Sequence, residues 1–135
     1  VATRPLLEDG TPFPTAFYAT CPRLTGAIST IEGSGLMAEL TRRLSVDPVL
    51  AAQLTSAHED YLERRSRWGD PPQVAGVSAG GMPARVKCLH VMTAHSLAAG
   101  PGVNPAGDLT LAALGPWWER GPCVLAGPDG GWRRA

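Results

Sequence analysis

The chain has 135 residues, 44% hydrophobic and 18% charged, with twelve basic residues balanced by twelve acidic ones. That length fits one domain able to bury roughly two-thirds of the unfolded chain's surface. Zero net charge excludes a global field that would draw the protein to nucleic acid or an anionic membrane. No apolar run approaches the ~20 residues that span a bilayer and no basic-then-apolar leader opens the chain, so a cytoplasmic domain without a membrane span is expected.

Residues 1–14 carry three prolines and no helical period, and form an irregular N-terminal segment. Alternation of Phe17 and Ala19 against Tyr18 then suggests a short strand near residues 15–20. Thr20 serves as an N-cap with Pro22 in the first turn, and Leu24, Ala27, Ile28 and Ile31 give a helix over about 21–32. Gly33-Ser34-Gly35 breaks it. Leu36, Met37, Leu40 and Leu44 mark a second helix ending near Ser45, with Arg42 and Arg43 in water. Asp47-Pro48 restarts the chain with a capping side chain and a residue that has no amide to leave unpaired. A third helix, bearing Leu50, Leu54, Ala57, Tyr61 and Trp68 on one stripe, runs from there to about Trp68.

Residues 69–83, rich in Pro, Gly and Ser, read as a surface loop. Pro83 opens a fourth helix that lasts to Gly100-Pro101-Gly102. Asn104-Pro105 repeats the cap-plus-proline device ahead of a helix over 105–114. The tail, 115–135, is aromatic and irregular. Gly (16) and Pro (13) together exceed a fifth of the chain, which suits helices joined by irregular segments in a single domain over 1–135.

The fourth helix carries the densest chemistry. Lys87-Cys88-Leu89-His90-Val91-Met92-Thr93-Ala94-His95 places one of three cysteines and two of three histidines within nine residues. Three scattered cysteines do not make a disulfide framework, and a reducing compartment keeps them as thiols or ligands. Zinc is the ion such ligands suit best, ahead of an iron–sulfur cluster, which needs more thiolates. The spacing offers neither C-x₂-C nor helical H-x₃-H. Within a regular helix Cys88 and His95 stand roughly 10 Å apart along the axis, and Cys88 and His90 point to opposite sides. A metal site therefore requires Cys88 in an irregular first turn, with Cys21, His58 or Cys123 arriving from elsewhere; the set Cys21, Cys88 and His95 is the candidate.

A thiol enzyme would use Cys88 as nucleophile at a helix N-terminus beside Arg85 and Lys87, with His58 or His95 as base. The bland alternative is a buried Cys88 and a hydrogen-bonded interhelical His95. His58, Glu59, Asp60 and Glu63 read as a solvated face, with His58 at the edge of the core beside Tyr61. Trp117, Trp118 and Trp132 suit either a docking patch or closure of the core.

Lys87-Cys88-Leu89-His90 with Ala94-His95, then Asn104-Pro105 and Gly107, resembles the signature of a bacterial family catalogued as domain of unknown function 501. Gly10-Thr11-Pro12-Phe13-Pro14-Thr15, Thr20-Cys21-Pro22-Arg23-Leu24 and Ala57-His58-Glu59 with Tyr61 agree in the same order, so the resemblance spans roughly residues 5–115. Members of that family usually carry a further Cys-Pro segment ahead of the point where this chain starts. The family supplies positions without a reaction. The expectation is a mainly α domain, a small bundle of four or five helices. Its leading function is non-catalytic interaction or regulation through a protein partner, without nucleic acid. The alternative is Cys/His metal binding or thiol chemistry centred on Cys21, His58, Tyr61, Lys87, Cys88, His90 and His95.

Overall fold

The computed structural model describes residues 1–135 and is mainly α. Five helices follow one another: α1 (Pro22–Glu32), α2 (Leu36–Leu44), α3 (Pro48–Ser66), α4 (Leu89–Ala99) and α5 (Pro105–Leu114). A two-stranded antiparallel ribbon, β1 (Val124–Ala126) with β2 (Trp132–Arg134), closes the chain. The core gathers Phe17, Leu24, Ile28, Leu40, Tyr61 and Met92 from the N-terminal segment and four helices. No helix is long and apolar enough to cross a membrane.

The Asp47 carboxylate accepts the Val49 and Leu50 amides, and Pro48 follows it, so α3 begins with two of its orphan donors satisfied. Its stripe of Leu50, Leu54, Ala57 and Tyr61 is buried as the periodicity predicts. The stripe continues into Arg65 and not Trp68, which is 43% exposed. Arg65 is buried because its guanidinium donates to the carbonyls of Pro14, Val74 and Val77 at 2.6–3.0 Å. One cation thus fastens two irregular segments to α3 by supplying donors that their own backbones lack.

Three boundaries differ from expectation. Pro83 does not open α4: the Met82–Pro83 peptide is cis and residues 84–88 run outside any helix. Their backbone groups are matched by neighbours, since Val86 N donates to Thr41 Oγ1 and Lys87 N to the Gly80 carbonyl. The helix starts six residues later, at Leu89. Near residues 15–20 there is no strand, only an isolated bridge between Ala2 and Phe17. The nearby prolines Pro5, Pro12 and Pro14 remove the donors a ladder needs. The ribbon instead lies in the tail expected to be irregular. Its strands of three residues show no buried alternation that could announce them.

α4 is enclosed: Leu89, Met92, Thr93, Ala94, His95 and Ser96 are all buried. A helix buried over most of its central turn, with only Leu97 and Ala98 exposed, needs close neighbours. α5 comes so near that a Cβ on Gly107 would overlap the Met92 carbonyl oxygen and Ser96 Oγ, so only glycine fits there.

Candidate functional site

The late start of α4 decides the geometry of the Cys/His stretch. Cys88 is the residue before the helix, with extended backbone (φ −151°, ψ 112°). It is therefore freed from the helical spacing that would aim it away from His90. Glu32, the last residue of α1, meets both. Its Oε1 accepts the Leu89 amide at 2.6 Å and lies 3.2 Å from His90 Nδ1. The ligand atoms of Glu32, Cys88 and His90 all fall within 4.8 Å of one another, and the three residues are half-buried.

The far side of the His90 ring bears on its tautomer. Nε2 sits 3.1 Å from the Thr25 carbonyl oxygen and 3.4 Å from Ser29 Oγ. A carbonyl only accepts, so the Thr25 contact puts a proton on Nε2. In the neutral ring Nδ1 then turns a lone pair toward the Glu32 carboxylate. Two acceptors at that distance are reconciled by a second ring proton, by the Nδ1-protonated ring with Ser29 Oγ donating to Nε2, or by a cation between them. Burial, reinforced by the negative charge of Glu32, pushes the Cys88 thiol above its ordinary value. Burial opposes ionisation of Glu32 too, but the Leu89 amide and His90 outweigh it and hold the carboxyl below its usual range. Without a cation this is a neutral thiol beside a carboxylate, a poor nucleophile; a bound cation would reverse the charge balance and supply the field that favours the thiolate.

His95 belongs to a different constellation. Asn104 caps α5 with Oδ1, which accepts the Ala106 and Gly107 amides, both at 3.1 Å. That fixes the Asn104 amide so that Nδ2 faces His95 Nδ1 at 3.2 Å. Nδ1 accepts, Nε2 is protonated, and Nε2 donates to Asp60 Oδ2 at 2.8 Å, where Arg64 also donates at 2.6 Å. Burial holds the His95 pKa below its ordinary value, although the Asp60 carboxylate opposes it. Every polar atom of the ring has a partner, and the network joins α3, α4 and α5.

The remaining candidates are dispersed. Cys21 lies at the N-terminus of α1 with its sulfur against Cys123, and not near Cys88 or His95. His58 Nδ1 meets Ser78 Oγ at 2.8 Å, at the edge of the core. The buried Tyr61 hydroxyl accepts the Ala16 amide at 2.7 Å. Lys87 is exposed. Neither His58 nor His95 is placed as a base for Cys88, and the set Cys21, Cys88 and His95 does not converge. The one group of three possible ligands is Glu32, Cys88 and His90. Glu32 carries no local signal, because it is 57 residues from Leu89 and its partners arrive only through the tertiary fold. Asp60, expected on a solvated face, likewise meets His95 only through the tertiary fold.

The model of the family described as Protein of unknown function (DUF501) matches residues 1–112. The chain belongs to this family. No curated protein and no solved structure matches it. The matched region contains Glu32, Asp60, Cys88, His90, His95 and Asn104, whereas Cys123 lies beyond it.

Proposed function

We propose that this DUF501 domain is a metal-binding regulatory module in which Glu32, Cys88 and His90 hold an ion of the zinc class. One observation carries it: His90 Nδ1 faces a carboxylate oxygen at 3.2 Å while Nε2 is already committed to a carbonyl. Hydrogen bonding of the distal ring nitrogen to a backbone carbonyl is the usual way a ligating imidazole is oriented. A mixed sulfur, nitrogen and oxygen set suits zinc among biological divalent ions. Three protein ligands leave a fourth position for water or for a side chain of a protein partner, which makes the domain an ion-dependent docking unit.

The rival account is an imidazolium–carboxylate pair that merely caps α4. Metal titration of the chelator-stripped, tag-free full chain separates the two. Cobalt(II) as probe should bind one ion per chain with a thiolate-to-metal absorption band, and zinc should displace it. Cys88→Ser should remove the band, and Glu32→Gln and His90→Ala should each weaken binding by about 10-fold or more, the scale on which even outer-shell partners act. Absence of both the cobalt band and zinc binding by the folded parent refutes the proposal, as does retention of full affinity in all three variants.

A further inference from the structure

We infer that Cys21 and Cys123 form a peroxide-oxidisable dithiol that closes reversibly into a disulfide and latches the C-terminal tail onto α1. Their Sγ atoms stand 2.8 Å apart although the residues are 102 positions apart in sequence. Both are half-buried and open onto one surface cleft that is also lined by Thr20, Trp117, Trp118 and Pro122, so a small oxidant reaches them. A second tie holds the same junction, because the Arg23 guanidinium donates to the carbonyls of Arg120 and Gly121, each at 2.8 Å. The two sulfurs are thus held together from both sides, and bond formation requires them to close from 2.8 Å to the roughly 2.05 Å of a disulfide.

The two cysteines are not equivalent. Cys21 is the N-cap residue of an eleven-residue helix that begins Pro22-Arg23. Burial works against its thiolate, but the Cys123 thiol, the Leu24 and Arg23 amides and the Arg23 charge outweigh it and hold the Cys21 thiol below its ordinary value. Cys88 is shifted the other way. Cys21 is accordingly the attacking thiolate and Cys123 the resolving thiol. The Cys21 sulfur attacks the outer oxygen of a hydroperoxide, the O–O bond breaks, and the alkoxide or hydroxide released takes a proton from solvent. Cys21 is left as a sulfenic acid. The Cys123 sulfur then attacks the Cys21 sulfur, the S–O bond breaks, and hydroxide departs with the Cys123 proton as water. Two thiols lose two electrons in all, and the peroxide gains them. A dithiol reductant reverses the step by thiol–disulfide exchange.

The test uses the reduced full chain, stoichiometric hydrogen peroxide, thiol counting and peptide mapping. Free thiols should fall from three to one, with an intrachain Cys21–Cys123 peptide two hydrogens lighter than its parts, and dithiothreitol should restore all three. In Cys123→Ser, Cys21 should accumulate as a sulfenic acid trapped by dimedone, at a rate about tenfold or more above that of Cys88, as expected for the thiol with more thiolate. Survival of all three thiols, a linked peptide containing Cys88, or linkage only between chains would each overturn the inference. The mapping of the parent chain decides this even if a variant fails to fold.

Discussion

Asn104 offers the sharpest test of how α4 and α5 are held. It is fully buried, its oxygen caps α5 and its amide nitrogen satisfies His95 Nδ1. Alanine removes both functions; serine keeps a capping oxygen and loses the amide. The cap is worth about 1 kcal/mol. A buried imidazole acceptor left unpaired costs about 1–3 kcal/mol. Asn104→Ala should therefore destabilise by about 2–4 kcal/mol and Asn104→Ser by about 1–3 kcal/mol, with the difference reporting the cap. Urea unfolding followed by far-ultraviolet circular dichroism resolves these values. At this chain length each kcal/mol also lowers Tm by about 3–5 °C, so the alanine variant should melt roughly ten degrees early. If both variants lie within about 0.5 kcal/mol of the parent, a range ordinary for surface changes, the network is ornamental and the assigned His95 tautomer loses its support.

Leu54, fully buried on α3, should lose about 2–5 kcal/mol on replacement by alanine in the same assay; a negligible loss would mean the core lies elsewhere. Gly107→Ala should cost about 1–3 kcal/mol or more, because the added Cβ meets the Met92 backbone and must push α5 from α4. A neutral result would show that the two helices separate easily. Stability should fall on acidification: His95 has a depressed pKa when folded, so the unfolded chain binds the proton more readily. That contribution is present above about 6.5, the unfolded value, and is lost as pH falls through the folded one. Asn104→Ala should change this slope, and unfolding curves from pH 8 to 5 that do not steepen below about 6.5 would contradict a neutral, buried ring.

Local chemistry was legible and tertiary chemistry was not. The starts of α3 and α5 follow from Asp47-Pro48 and Asn104-Pro105, devices whose energetics lie within three residues. The stripe from Leu50 to Tyr61 follows from periodicity alone, whereas its expected continuation to Trp68 does not hold. Arg65 breaks that logic, since a cation is buried only when distant carbonyls come to it, and neither Pro14 nor Val77 announces that role in sequence. The start of α4 was misplaced because proline usually marks a first turn, while Thr41, Gly80 and Glu32 supply the hydrogen bonds that keep residues up to Cys88 out of the helix. The same error hid the site. Placed inside a regular helix, Cys88 and His90 diverge; placed ahead of it, Cys88 joins His90 at the end of α1.

The stretch that carries the family resemblance therefore divides into two kinds of residue. Leu89 fills the core, Gly107 permits the α4–α5 approach, and His95 with Asn104 closes a network in which each polar atom has its complement. Folding accounts for them. Cys88 and His90 differ from these: they are half-buried and gather a thiol and an imidazole around the Glu32 carboxylate, which the Leu89 amide and both side chains help to hold ionised. The proposed ion site at the meeting of α1 and α4 therefore stands or falls on the cobalt titration of the parent chain and of its Cys88→Ser, Glu32→Gln and His90→Ala variants.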